Sequence, residues 1–300
     1  MNKIILDTDI GTDIDDAFAL LLALNSKEIQ LEAVTTVFGD TNLRSKIARK
    51  ILRLCDKDGI PVGEGIGNPL TKDKKGIMGG WEGKGFLENT DFQSERFISG
   101  VDLIISRIEE NPGEITIIAI GPLTNIAVAI IKRPDISSKI RELIVMGGVI
   151  YPPKLGWTWE GENNFNCDPD ATKIVFNSGI PITMAGLDVT LDVWLKEEDI
   201  GKLKSINTPV MRGVISMLDI WLSRIKSNQT CLHDPLALSV SIDRKIVVTK
   251  RMHVKLEIRD NVLRTIPSDS KPNIDVCVKV DRDRFVNLFM DRLTNSRQGD

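Results

Sequence analysis

Short apolar-rich runs recur along this 300-residue chain. Each is too brief for a helix, and each is followed by a stretch of helical periodicity. Residues 3–6, 29–37, 115–120, 143–146 and 182–185 read as buried strands. Residues 14–25, 43–55, 97–110, 123–132 and 171–177 read as helices, with Asn111-Pro112-Gly113 ending the third and Pro134 following the fourth. A strand buried on both faces needs helices on both sides. The βαβα order therefore predicts an α/β fold: an open, mainly parallel but mixed sheet with helices on both faces. From residue 245 the pattern changes to three short apolar runs, 246–248, 254–258 and 276–280, read as partly antiparallel strands before a last helix at 284–293. No linker or repeat interrupts the chain, so residues 1–300 are expected to form one domain.

In open α/β sheets, ligands sit beyond the carboxyl ends of the strands. The first such end is unusual. Asp7, Asp9, Asp13, Asp15 and Asp16 fall within ten positions, with no Lys or Arg between Lys3 and Lys27. Carboxylates packed this densely repel one another unless a positive charge joins them. Helix capping explains some of them, because Asp15 and Asp16 would open the next helix at its positive end. The remainder point to a bound hard cation, Ca²⁺ or Mg²⁺. On a continuing strand Asp7 and Asp9 would share a face.

Bulk properties narrow the function. Hydrophobic residues make up 42% and charged residues 27%, and the formal charge is −3. No basic block suggests a nucleic-acid partner, and no apolar run reaches the roughly 18 residues of a membrane span. No signal peptide is apparent at the amino terminus, so a cytoplasmic location is expected. Cys55, Cys167, Cys231 and Cys277 form no CxxC pair, which argues against a zinc knuckle.

The segment Asp7-Thr8-Asp9-Ile10-Gly11-Thr12-Asp13-Ile14-Asp15-Asp16 resembles the amino-terminal signature of the calcium-dependent nucleoside hydrolases, the inosine-uridine-preferring nucleoside N-ribohydrolase family. The shorter form of that signature is Asp-x-Asp-Pro-Gly-x-Asp-Asp. Here Ile10 replaces the proline and two residues are added, which leaves Asp13 without an assigned role. Gly121-Pro122-Leu123-Thr124-Asn125, Met146-Gly147-Gly148, Glu162-Asn163-Asn164 through Asp168-Pro169, Gly186-Leu187-Asp188 and His233-Asp234-Pro235 resemble later blocks in the same order. Together they cover residues 7 to about 240.

The resemblance implies hydrolysis of the N-glycosidic bond of ribonucleosides to free base and ribose. It implies Ca²⁺ held by Asp9, Asp16, Asp234 and the Ile120 carbonyl, and Asp9 as base toward a Ca-bound water. Asp15, Glu162 and Asn164 would bind the ribose hydroxyls, Met146 and Asp40 would belong to the substrate site, and His233 would be catalytic as the leaving-group acid or a base-pocket contact. A homodimer or homotetramer is implied as well. Asp40 stands where the family has asparagine, and Gly79 where it often has a loop histidine. Asn163 replaces an aromatic residue. Retention of His233 points to pyrimidine or broad specificity; Trp81 and Trp221 are candidates to stack on a purine, with Trp157 and Trp159 undecided.

Two other readings stay open at this level. Asp7-Thr8-Asp9 also resembles the motif of Mg-dependent haloacid-dehalogenase-type phosphatases, although the later Lys and acidic pair are not evident. A nucleoside-binding protein without turnover is the other.

Overall fold

The computed structural model describes residues 1–88, 91–92, 95–151 and 161–295. Trp157 and Trp159 lie outside the described residues. The first strand, β1 (Asn2–Thr8), leads into α1 (Asp15–Leu24), and β2 (Ile29–Thr36) into α2 (Thr41–Leu54). Two short strands follow, β3 (Val62–Glu64) and β4 (Ile98–Ser99), then α3 (Gly100–Glu110). The next units are β5 (Thr116–Ala119) with α4 (Thr124–Lys132), and β6 (Glu142–Met146) with α5 (Asn163–Cys167) and α6 (Pro169–Phe176). Next come β7 (Ile182–Ala185), α7 (Leu187–Thr190), β8 (Trp194–Leu195), α8 (Glu197–Lys204), α9 (Pro209–Ile225), β9 (Thr230–Cys231) and α10 (His233–Ile242). The carboxyl-terminal part is β10 (Val247–Arg259), β11 (Val262–Ser268), β12 (Ile274–Val280) and α11 (Arg282–Thr294).

Ten strands form one sheet in the order β11-β10-β12-β7-β6-β5-β1-β2-β3-β4, and β8 pairs antiparallel with β9 beside it. From β12 to β4 every pairing is parallel; β10 is antiparallel to both β12 and β11. The expected mixed, mainly parallel open sheet is what forms. Its strands alternate faces, as the pleat demands. Ile4, Leu6, Ile118, Ile120, Ile144 and Met146 pack in one core with α1, α2, α10 and α11. Ile5, Ile117, Ala119, Leu143 and Val145 pack in the other with α3, α4 and α6. Among the described residues no helix is long and apolar enough to cross a membrane.

Three expectations need correction. Residues 97–99 are not helical: Ile98 and Ser99 pair as β4, and Ser99 caps α3 by accepting from the Asp102 N–H. The runs at 246–248 and 254–258 are mostly one strand, β10, rather than two. Its polar middle, Lys250 and Arg251, is exposed but stays paired to β12, so solvation there was mistaken for a break. Asp7 and Asp9 do not share a face, because β1 stops at Thr8. Asp7 turns away from the cavity described below, and its carboxylate accepts from the Thr35 hydroxyl (2.5 Å) and the Asn125 amide (2.7 Å).

Candidate active site

Beyond the carboxyl ends of β1, β5 and β6 lies a cavity of about 770 Å³, a size typical of small-molecule sites. Each parallel strand delivers a residue to it: Asp9 just past β1, Ile120 at the end of β5, and Met146 at the end of β6. Asp15 and Asp16 enter from the first turn of α1, and His233 and Asp234 from the first turn of α10. Glu162 and Asn164 come from the start of α5, and Trp221 from α9. Ten of the twelve residues named from sequence thus meet in one place.

Among the described residues Asp15, Asp16 and Asp234 form an acidic group in which one carboxylate oxygen from each lies within 4.8 Å of the others. Two local bonds hold it. Thr8 donates its hydroxyl to Asp16, tying β1 to α1, and Asp15 accepts from the Asp234 N–H at 3.3 Å, across 219 positions of sequence. Asp9 stands outside that triad but in the same cavity; a Cβ added at Gly121 would lie 3.0 Å from its Oδ1. The Ile120 carbonyl accepts from Asn164 Nδ2 at 3.0 Å, which leaves it a second lone pair.

Six carboxylates line the cavity: Asp9, Asp13, Asp15, Asp16, Glu162 and Asp234. Burial raises the pKa of each, and their mutual repulsion adds to this for Asp16 and Asp234. Asp15 is pushed up to about 6, by burial and against the stabilising Asp234 N–H bond. Glu162 rises to about 7 through burial, although three backbone N–H groups, of Phe165, Asn164 and Gly148, oppose the shift. The donor set is all oxygen, buried and over-supplied with negative charge, so a hard divalent cation fits it.

One positive charge is built in. Arg44, on α2 and 1% exposed, donates to the carbonyls of Phe38 (2.6 Å), Ile10 (2.9 Å) and Asp9, and to the Thr12 hydroxyl (3.2 Å). Its charge opposes the burial of Asp9. Arg44 was not foreseen from sequence. The signal was there: it sits on the i, i+3, i+7 stripe with Ile47 and Ile51, where a charged residue is out of place.

His233 Nδ1 lies 2.8 Å from the Thr190 hydroxyl, and burial lowers the imidazole pKa to about 4. It is therefore neutral near pH 7. The wall beside it is apolar: Leu187, Leu191, Trp194, Trp221 and Ile225. Both indole N–H groups are used internally, Trp221 on the Thr230 hydroxyl (3.0 Å) and Trp194 on the Leu191 carbonyl (2.7 Å). Trp194 also went unnoticed in the sequence, because a lone tryptophan beside a two-residue strand carries no periodic signal.

Two named residues lie off the cavity. Asp40 is the exposed N-cap of α2, accepting from the Leu43 N–H at 2.9 Å. Trp81 donates to the Thr12 carbonyl at 2.9 Å and stacks with the Arg224 guanidinium at 5.1 Å. Gly11, in the acidic loop, has φ +116°, and a Cβ there would meet Ile47 Cδ1 at 2.6 Å. Gly11→Ala is expected to lower stability by about 1–3 kcal/mol, read as a drop in Tm; an unchanged Tm would show that the loop relaxes freely.

An open α/β sheet with a carboxylate-lined cavity at the strand ends and an apolar wall in the same cavity suits a small polar substrate bearing a flat group. The family model described as inosine-uridine preferring nucleoside hydrolase matches residues 4–287. The chain is 34% identical to a pyrimidine-specific ribonucleoside hydrolase of Shigella boydii, with 97% of each chain covered, and 33% identical to its counterpart of Salmonella arizonae. Among solved structures, a purine-preferring ribonucleoside hydrolase from Gardnerella vaginalis is similar at TM-score 0.85 and 32% identity, with 98% of each chain covered. A plant nucleoside hydrolase is similar at TM-score 0.82 and 27% identity, covering 98% of this chain and 99% of its own. The chain belongs to the inosine-uridine preferring nucleoside hydrolase family, and it is an N-glycosyl hydrolase acting on ribonucleosides. That sets aside both the phosphatase and the purely binding readings.

Proposed function

We propose that this enzyme hydrolyses both purine and pyrimidine ribonucleosides and depends on Ca²⁺. The observation carrying the cation is the buried oxygen triad of Asp15, Asp16 and Asp234 with Asp9 in the same cavity. Asp9, Asp16, Asp234 and the Ile120 carbonyl would hold Ca²⁺, which when bound supplies the positive charge that orients the water and the ribose hydroxyls.

The protein's own groups do the rest. Asp9 accepts a proton from the attacking water as its oxygen bonds to the anomeric carbon and the bond to the base nitrogen breaks, through an oxocarbenium-like state; the base leaves with the electron pair and takes a proton from solvent, and Asp9 later returns its own to solvent. Asp15 accepts a hydrogen bond from a ribose hydroxyl. Asn164 is aimed by its amide bonds to the carbonyls of Ile120 and Met146, and with Glu162 and Met146 it lines the ribose end. His233, neutral and fixed by Thr190, serves as a hydrogen-bonding contact to the departing base rather than as an imidazolium acid. Asp40 has no part in this reading.

Breadth toward the base is supported by the apolar wall. Trp194 and Trp221 offer ring faces with no free N–H, so they stack without reading base edges. A reducing-sugar assay over inosine, adenosine, guanosine, uridine and cytidine tests this directly; release of ribose from only one base class would overturn it. Trp221→Ala is expected to raise KM about tenfold for purines and less for pyrimidines, since stacking scales with ring area. Equal effects on both classes would remove Trp221 from base contact. The proposal extends to a homodimer or homotetramer, as the family resemblance implies, which light scattering on eluting protein decides.

A further inference from the structure

The stretch between Asp9 and Asp15 carries no residue of the metal set, yet side chains from two other segments anchor it. Its centre is Thr12. The Thr12 hydroxyl donates to Glu82 Oε1 at 3.0 Å and accepts from Arg44 Nη2 at 3.2 Å. Its carbonyl accepts from Trp81 Nε1 at 2.9 Å. Glu82 is buried and also accepts from the N–H groups of Gly79 (2.5 Å) and Gly80 (2.8 Å). Arg44 in turn holds the Asp9 and Ile10 carbonyls. One hydroxyl therefore joins three segments: the acidic loop, the buried arginine of α2, and the 77–82 segment whose Ile77, Met78 and Gly79 line the cavity.

We propose that Thr12 is a positioning residue for hydrolysis: bridged between Arg44 and Glu82, it fixes the Asp9 backbone, and hence the Asp9 carboxylate, against the cavity. This rests on Asp9 being the base in the reading above. The geometry distinguishes it from a merely structural contact. Thr12 lies three residues from Asp9 and is half-buried; its neighbours Ile10 and Ile14, rather than Thr12, anchor the loop in the apolar core, and its partners are themselves satisfied by other bonds. Loss of the hydroxyl should leave the fold intact while loosening the reacting geometry, to which rate is far more sensitive than binding.

The test is Thr12→Val, which keeps shape and loses the hydroxyl, beside Thr12→Ser, which restores it. T12V is expected to lower kcat about tenfold to a hundredfold, with KM within about twofold and Tm nearly unchanged; T12S should recover most of the rate. Because Thr12 and Glu82 act through one bond, the double variant with Glu82→Gln should lose no more than the worse single variant. Wild-type kcat in T12V, a T12S variant as slow as T12V, or fully additive losses would each overturn the inference. Should E82Q not fold, the T12V and T12S pair still decides. Wild-type protein that releases no ribose from any nucleoside would instead remove the reading on which the inference rests.

Discussion

Asp9→Ala is expected to lower kcat by about 10³-fold, the span general acid–base catalysis supplies, with the fold retained. Two facts give this variant the largest effect. Asp9 lines the cavity beside Ile120 and outside the triad of Asp15, Asp16 and Asp234. Burial raises its carboxyl from the ordinary value, which favours proton uptake, while the Arg44 guanidinium opposes that rise. Removing it relieves repulsion among the remaining acids, so stability should not fall. Initial rates of ribose release, with circular dichroism as the fold control, check this; activity within about tenfold of wild type would exclude Asp9 as the base. Asp9→Asn is the companion variant, since it keeps size and cannot take the proton.

Removal of the divalent cation by a chelator is expected to abolish activity and to make stability depend on pH. Calcium added back should restore the rate. The direction follows from the shifted groups. Burial raises Asp7 and Glu162 to about 7 and Asp15 to about 6, and raises Asp16 and Asp234 further with help from neighbouring carboxylates. Between the unfolded value near 4 and these folded values, the folded chain holds protons that the unfolded chain has released. These carboxyl groups therefore make the cation-free protein more stable as pH falls from about 8 toward 5, outnumbering the single opposing contribution of His233, whose folded value of about 4 lies below its unfolded 6.5. A cation at about a hundred times its Kd adds about 2.7 kcal/mol, and this gain should be larger at pH 8, where protons do not compete for the carboxylates. Melting curves at pH 5.5 and 8, with and without calcium, measure both effects. A chelated protein of unchanged activity, or one less stable at pH 5.5 than at pH 8, would contradict the assignment.

The comparison of sequence with structure is instructive at particular residues. The strand at 115–120 and the helix at 123–132 were legible because their apolar patterns are local, and they form as Thr116–Ala119 and Thr124–Lys132. The polar residues of that second block turn out to serve the framework: Asn125 bonds Asp7 and the Thr36 carbonyl, and Thr124 bonds Asp168. Asp7 and Asp9 look equivalent two positions apart, yet the end of β1 at Thr8 sends one to the interior and the other to the cavity. No local rule gives the residue at which a strand stops. Trp81 sits in a glycine-rich loop near the site, but unlike Trp194 and Trp221 it does not line the cavity.

The absence of Lys and Arg among the first acids was a sound reason to look for a positive charge. It overlooked that the chain can bring one from elsewhere: Arg44 reaches the Asp9 and Ile10 carbonyls from 35 and 34 positions away. Six acidic groups against one guanidinium must still be neutralised by protons or by a bound cation, so the case for a cation survives the correction.

By itself the sequence determined the alternating strands and helices, the acidic run at the end of the first strand, and the ordered blocks that mark a nucleoside hydrolase, since hydrophobic period and residue identity are properties of neighbouring positions. Tertiary structure alone decided that Asp234 closes on Asp15 and Asp16, that Arg44 and Thr12 brace the acidic loop, that Trp194 joins the apolar wall, and that Asp40 and Trp81 stand outside. Those outcomes depend on how distant elements pack across the sheet, where burial and long-range hydrogen bonds, rather than local pattern, set which side chains meet.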